Sequence, residues 1–341
     1  MKKLISIFLT ALLVLSAVSL IGCGGKDPET AKFGVGIVKD ELSGISATEA
    51  KNGSGTATYT VAVVLVDKDG KIVKCELDTL DFTLEFTAAG KYVPAGSLVS
   101  KAEAGADYGM AGHPYAPDVN GDGVVKEWFE QADIFCSKIV GKTVTEVKAL
   151  VAEEGRGNAD LQTAGCTIAI TGFVSAVEAA VANAKTDVSK DASLSIGVVA
   201  SAEGADATAT TEGSQTLTMD IVGMALTEGK VAASYTTSLE AVFKFTAAGA
   251  ITTSTATDKR ALGDDYGMAN NPYSADLDGD GVILEWYKQV EALDSLYVGK
   301  TASEIGALVL NTSYGNEDVV NADCTISIAG YVAAAVKAAS N

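Results

Sequence analysis

Histidine is almost missing from this chain: among 341 residues there is one, His113. Cysteine is sparse too, with five residues, no Cys-x-x-Cys pair and no Cys/His cluster. That argues against structural zinc and iron–sulfur sites. Positive charge is scarce. Lys and Arg number 25 against 44 Asp and Glu, a formal net charge of −19. Such a surface repels nucleic acid and anionic lipid headgroups and attracts cations, divalent metals included. Aromatic residues make up only 6% of the chain, but 48% of it is hydrophobic, which excludes intrinsic disorder. Complete nucleotide fingerprints are also lacking. Gly34-Val35-Gly36 has no third glycine, and Val140-Gly141-Lys142-Thr143 has Cys136 where a P-loop needs its first glycine.

What the chain does have, it has twice. Asp107-Tyr108-Gly109-Met110 returns as Asp265-Tyr266-Gly267-Met268, an offset of 158. The stretch from Asp118 to Trp128 returns from Asp276 to Trp286, and Cys166-Thr167-Ile168 as Cys324-Thr325-Ile326, at the same offset. Phe86 to Gly90 returns as Phe245 to Gly249, one residue out of step, so a small indel separates the copies. The period is too long for a solenoid and suits two tandem domains. Each copy is a control for the other. His113 has Asn271 as its counterpart, so no Ser-His-Asp or Cys-His mechanism can belong to both. Cys75 and Cys136 correspond to Ser234 and Asp294; they could form a disulfide in an oxidising compartment, but spacing alone does not set their distance.

The chain opens with a leader. Lys2 and Lys3 are followed by an apolar run from Leu4 to Ile21, then Gly22-Cys23. This order resembles a bacterial lipobox, with cleavage leaving Cys23 as the lipid-modified residue; a single spanning helix is the alternative. Losing two lysines and no acid takes the charge from −19 to −21. The expected organisation is a signal peptide over 1–22, a tether over 23–32, a first repeat domain over 33–184, a linker over 185–192 and a second repeat domain over 193–341. The lipid would be the only membrane anchor, on the extracytoplasmic face.

Periodicity predicts an α+β unit in each repeat, an antiparallel β meander followed by helices and a closing strand-helix unit. Phe33 to Asp40, Thr56 to Val66, Lys71 to Leu77 and Phe82 to Phe86 read as strands, with a hairpin at Asp67-Lys68-Asp69-Gly70. Val125, Trp128, Phe129, Ala132, Phe135 and Ile139 fall at helical spacing. Thr143 with Glu146, and Thr301 with Glu304, are capping boxes. Gly165 to Ile170 reads as a late strand before a helix with Phe173, Val177 and Val181 on one face.

Two segments carry chemistry. Asp118-x-Asn120-x-Asp122-Gly123 and Asp276-x-Asp278-x-Asp280-Gly281 match the first half of an EF-hand-type calcium loop. Val124 and Val282 would each give a backbone carbonyl at the seventh position. The twelfth position holds Phe129 or Tyr287 rather than glutamate, so Glu127 and Glu285 are the candidates to close a shortened loop. A polar turn capping the following helix is the alternative. Tyr108, Tyr115 and Trp128, with their copies Tyr266, Tyr273 and Trp286, could line a pocket for a flat ring, although the two tryptophans fall on the apolar helix face.

The second segment runs from Asn158-Ala159-Asp160 to Gly165-Cys166-Thr167-Ile168, and from Asn316-Glu317-Asp318 to Asp323-Cys324-Thr325-Ile326. With the hairpin from Val66 to Val73, it resembles the FMN-binding domain family of membrane redox pumps and bacterial surface flavoproteins. In that family an Asp, a spacer and a Ser/Thr-Gly-Ala-Thr segment precede a helix, and the last Thr is esterified to FMN. The resemblance implies that Thr167 and Thr325 take the flavinylated position, and that Asp160 and Asp318 take the acidic position read by a flavin transferase. This chain has a spacer one residue longer, Cys166 and Cys324 in place of Ala, and Asp323 in place of Gly. A phosphate at this Thr would face the N-terminus of the closing helix, where backbone N–H groups favour anions; Gly165 makes the first copy the better candidate.

The resulting expectation is a membrane-anchored lipoprotein with two FMN-binding-like domains, an electron carrier served by a transferase and a redox partner. The alternative is a calcium-stabilised surface lipoprotein that binds a solute or partner without redox activity. A hydrolase has little support, because no carboxylate pair stands out as an acid/base couple.

Overall fold

The computed structural model describes residues 29–113, 118, 121, 123–269, 271, 279, 281–311 and 313–341. The leader with Cys23, most of the tether, and Asn120, Asp122, Asp276, Asp278 and Asp280 lie outside the described residues, as do Tyr115 and Tyr273. No helix among the described residues is long and apolar enough to cross a membrane.

The first repeat builds strands β1 (Thr30–Ile45), β2 (Gly53–Val66), β3 (Ile72–Phe86) and β4 (Tyr92–Val93). Helices α1 (Lys101–Ala104), α2 (Trp128–Ile139), α3 (Val144–Lys148), α4 (Ala159–Thr163) and α5 (Thr171–Ala182) follow. After β5 (Thr186–Ser189), the second repeat builds β6 (Ser193–Ala205), β7 (Gly213–Thr227), β8 (Lys230–Phe245) and β9 (Ile251–Asp258). Its helices are α6 (Lys259–Leu262), α7 (Trp286–Tyr297), α8 (Ala302–Gly306), α9 (Glu317–Val320) and α10 (Ala329–Ser340), with the two-residue strands β10 (Val309–Leu310) and β11 (Tyr314–Gly315) between α8 and α9. The large sheets are antiparallel, in the orders β4-β3-β2-β1-β5 and β6-β7-β8-β9. The α+β class is as the periodicity predicts.

Local chemistry explains the punctuation. At the β2–β3 hairpin Gly70 has φ 75°. Asp67 Oδ1 accepts from the N–H groups of Asp69 and Lys71 at 2.9 and 2.8 Å. An Asx-type turn of this kind needs a short acid at its start and a residue tolerant of positive φ at its end. Both capping boxes form, each Glu Oε2 accepting from the backbone N–H of its Thr at 2.8 Å. Three expectations are corrected. The expected strands Lys71 to Leu77 and Phe82 to Phe86 merge into one continuous strand, β3, from Ile72 to Phe86, because β2 pairs along its whole length. Gly165 to Ile170 forms no strand; only Ala169 bridges, to Arg156. The expected linker over 185–192 contains β5, which pairs with β1 from Thr30↔Ser189 to Phe33↔Thr186.

The two sheets pack face to face, and helices cover each outer face. The continuous apolar run Val61 to Val66 follows from this layering. Val61, Val63 and Leu65 point into the space between the sheets, while Ala62, Val64 and Val66 point at the helices. In the second repeat Ile221 and Ala225 face inward, and Val222, Met224 and Leu226 face the helices. One apolar cluster therefore draws on both repeats, with Phe33, Leu80 and Phe82 on one side and Leu217, Leu239 and Phe243 on the other. The repeats are related by an approximate two-fold axis, as their reciprocal contacts show. Phe86 and Phe245, equivalent residues, stack with centroids 4.2 Å apart and planes 1° apart. Ala47 N–H donates to Gly249 C=O at 2.7 Å, and the equivalent Ala207 N–H donates to Gly90 C=O at 2.8 Å. Gly55 lacks a side chain because a Cβ there would lie 2.2 Å from the Phe243 ring. The packing is that of a self-complementary homodimer interface closed within one chain.

Candidate functional site

Each repeat places its repeated motifs around one buried glutamine. Gln131 on α2 and Gln289 on α7 are equivalent and fully enclosed. Gln131 Oε1 accepts from the Thr167 N–H at 2.8 Å, the Thr167 hydroxyl at 3.3 Å and the Ile168 N–H at 3.2 Å. Its Nε2 donates to Lys126 C=O at 2.8 Å and to Met110 Sδ at 3.4 Å. In the second repeat Gln289 makes the same bonds to Thr325, Leu284 C=O and Met268 Sδ. Thr167 and Thr325 are 3% and 6% exposed. Their hydroxyls thus face a helix. Asp160 and Asp318 sit exposed in the first turns of α4 and α9, which Asn158 and Asn316 cap.

The carboxylates of Glu127 and Glu285 bind backbone. Glu127 accepts from the N–H groups of Met110 and Ala111 at 2.8 and 3.2 Å, and Glu285 from those of Met268 and Ala269 at 2.8 and 3.1 Å. This accounts for the Gly-Met half of the repeated Asp-Tyr-Gly-Met motif. Gly109 and Gly267, both at φ 74°, turn the next two N–H groups toward the glutamate. The two carboxylate oxygens of Asp118 accept from Gly121 N–H and Gly123 N–H at 2.9 Å each. Val124 and Val282 hold exposed side chains between loop and helix. Among the described residues no group of three His, Cys, Asp or Glu is gathered for a metal ion.

The anion position expected at the closing helix already faces a carboxylate in both repeats. A Cβ on Gly172 of α5 would lie 2.6 Å from Asp40 Oδ1, and one on Gly330 of α10 would lie 1.9 Å from Asp220 Oδ2. A carboxylate beside a helix N-terminus is favoured by the helix dipole. The two acids come from non-equivalent strands, β1 and β7. Burial pushes Asp220 up to about 6.

The repeats differ beside the threonine. In the second, a cavity of about 390 Å³ opens next to Thr325, lined by Lys259, Tyr266, Trp286, Gln289, Tyr314 and Tyr331. Trp286 and Tyr331 meet edge to face at 5.7 Å, and the indole N–H donates to the Tyr331 hydroxyl at 3.2 Å. Tyr314 stands at the rim, 46% exposed. In the first repeat Arg156 takes the place of Tyr314 and donates to Thr167 C=O at 2.6 Å, while Phe173 replaces Tyr331. No family profile, curated protein or solved structure matches the chain.

A larger cavity, about 680 Å³, lies between the repeats, lined by Asp78, Ser100, Glu103, Ser195, Val336 and Lys337 among others. Lys337 bridges to Glu103 across it at 2.7 Å. Asp78 is 3% exposed and its Oδ1 accepts from Thr79 N–H and Ala102 N–H at 2.7 and 3.0 Å. Burial pushes its carboxyl up to about 6, against those hydrogen bonds. The folded state then binds a proton that the unfolded chain, titrating near 3.8, has released. Stability from this group is present below that unfolded value and is lost as pH rises through about 6. The difference is on the order of 1–3 kcal/mol. Asp78→Asn keeps the acceptor and is expected to flatten this part of the stability–pH curve. Urea midpoints at pH 4 and pH 7 for both proteins check it; parallel curves would discard the assignment.

Proposed function

We propose that the protein is a lipid-anchored extracytoplasmic binding protein whose second repeat receives a flat, ring-bearing ligand in the cavity at Thr325. The observation that carries this reading is the aromatic lining, Tyr266, Trp286, Tyr314 and Tyr331, with Lys259 supplying positive charge. Aromatic walls favour offset or edge-on stacking with a planar ring. Flavin is the ligand class that the resemblance to FMN-binding domains implies. Noncovalent binding fits better than a phosphoester. The Thr325 hydroxyl is buried against Gln289, and Asp220 stands where the phosphate would meet the helix. An ester would need the 323–327 segment to swing out and the negative charge of Asp220 to be neutralised. In the first repeat Arg156 donates to the corresponding threonine carbonyl, which supports the second repeat as the place for the ligand.

Protein purified from the organism that makes it is expected to release a planar chromophore on denaturation and to rebind FMN or riboflavin with quenching of tryptophan fluorescence. Tyr314→Ala is expected to weaken rebinding about 3- to 10-fold, the value of one aromatic contact. A phosphodiester-linked flavin on the Thr325 peptide would instead establish the covalent reading. Absence of any chromophore, together with no rebinding, would remove the flat-ligand reading.

Calcium belongs to the same proposal. The Asp118 carboxylate accepts from the N–H groups of Gly121 and Gly123 ahead of α2, which supports a cation-closed turn there. Chelation is expected to lower the melting temperature, read by calorimetry. Superimposable transitions with and without chelator would leave the segment as a hydrogen-bonded turn.

A further inference from the structure

We propose that Cys75 and Cys136 are joined in the mature protein by a disulfide that clamps β3 to α2. The proposal is independent of the ligand cavity; it rests on the extracytoplasmic reading only for an oxidising surrounding. Cys75 Sγ and Cys136 Sγ lie 3.1 Å apart. A disulfide needs about 2.05 Å, so closure asks for about 1 Å of side-chain movement. A contact between two thiols is a weak hydrogen bond and gives little reason by itself for two cysteines to meet here.

The second repeat supplies the comparison. Its equivalent residues, Ser234 on β8 and Asp294 on α7, also face each other, Ser234 Oγ donating to Asp294 Oδ1 at 3.1 Å. There the strand–helix tie is a polar network. Asp294 also accepts from the Thr236 N–H at 3.1 Å, the Thr236 hydroxyl at 2.6 Å and Arg260 Nη1 at 2.7 Å. In the first repeat all four positions have changed together: Cys75 for Ser234, Leu77 for Thr236, Ala102 for Arg260 and Cys136 for Asp294. No part of the polar tie remains at these positions, and a pair of sulfurs stands where its centre was. A covalent bond is the tie that this residue set can make.

Access to the pair is built in. A groove of about 410 Å³ reaches it, lined by Val73, Glu76, Asp133 and Ser193 beside the two cysteines. Cys136 is buried and Cys75 half-buried, so an oxidant meets Cys75 first. Burial, with the Cys75 sulfur and the acids Glu76 and Asp133 close by, pushes the Cys136 thiol well up, which leaves Cys75 as the attacking group. The oxidant is a protein or small-molecule disulfide. The Cys75 thiolate attacks one of its sulfurs, forming a mixed disulfide and expelling the other sulfur as a thiolate. The Cys136 thiol then loses its proton and attacks Cys75 Sγ, expelling the remaining carrier thiolate. Two electrons pass to the oxidant, whose two sulfurs leave as thiols with the two protons released by Cys75 and Cys136.

The test is differential alkylation of the full chain purified from its own organism, with thiols blocked at lysis and the protein denatured without reductant. The expected result is a linked Cys75–Cys136 peptide pair, with Cys166 and Cys324 alkylated, and all four labelled after reduction. Cys136→Ala should leave Cys75 alkylated without reduction. Reduced wild-type protein, refolded and exposed to glutathione disulfide, should reform the same link, which separates a specific bridge from a misfolded variant. Free Cys75 in protein whose mass shows residues 1–22 removed overturns the disulfide. Free Cys75 in protein that retains residues 1–22 overturns the lipid-anchored reading and the disulfide with it. A link to Cys166 or Cys324 also overturns it.

Discussion

Either repeat produced alone, as residues 29–190 or 191–341, is expected to lose its monomeric fold. Each sheet buries its inner face only against the other. Separation would expose Val61, Val63, Leu65, Leu80, Phe82 and Leu84 on one side, and Val198, Leu217, Met219, Ile221, Leu239 and Phe243 on the other. Each large side chain of this kind contributes about 1.5–3 kcal/mol when fully buried. Six per face amount to roughly 10 kcal/mol or more, comparable with the whole stability of a typical domain. The first piece also keeps β5, so the loss does not come from an interrupted sheet. Because the contact is two-fold and self-complementary, the expected product is a homodimer or an aggregate. Sedimentation of each piece, and calorimetry of the intact chain, check this. The intact chain should unfold in one transition, and Phe245→Ala, which removes one ring of the stacked pair, should shift all of it. Two monomeric pieces, each with its own sharp transition, would show that the central cluster contributes little.

This arrangement was partly legible in the sequence. Local signals predict local structure well. The Asp67-Lys68-Asp69-Gly70 turn, both capping boxes and the helical spacing from Trp128 to Ile139 all appear where the pattern places them. The repeat itself predicts two copies of one α+β unit. It does not predict that the copies share a core. The clue lies in Val61 to Val66, where alternation gives way to a continuous apolar run. A strand apolar on both faces needs a covering layer on each, and one set of helices supplies only one. The pairing of β5 within 185–192 carries no sequence signal, because Lys, Asp and Ser are as compatible with an exposed edge strand as with a connection.

Legibility of the candidate site followed the same division. The repeated Asp-Tyr-Gly-Met, Glu127/Glu285 and Thr167/Thr325 do converge, but around Gln131 and Gln289, which a reading for charged ligands passes over. A glutamine repeated on an apolar helix face was the signal available, since a buried amide needs partners for all its polar atoms. Asp40 and Asp220 carried no such signal, because each reaches its helix N-terminus from a different strand. The late strand was expected from Cys-Thr-Ile residues that favour β structure. Instead the segment's N–H groups go to the Gln side chain, and a strand partner is not needed.

Asp294→Ala is expected to destabilise the chain by about 3–5 kcal/mol, the cost of breaking a buried ion pair from one side. Asp294 is 7% exposed and accepts from Ser234, Thr236 and Arg260. Its removal leaves the Arg260 guanidinium, held over the Tyr235 ring at 4.0 Å, with Glu291, 3.6 Å away and half exposed, as its one remaining ion-pair partner among the described residues. The first repeat shows how the same position is built without the charge, with Ala102 in place of the arginine. The double variant Asp294→Ala with Arg260→Ala is therefore expected to recover part of the loss, because no unpaired cation is left buried. Urea denaturation of the wild type, both single variants and the double variant closes the thermodynamic cycle. A loss under about 1 kcal/mol for Asp294→Ala would place the pair with ordinary surface salt bridges. A double variant as damaged as the sum of the singles would mean that Arg260 contributes by packing on Tyr235 and not through its charge.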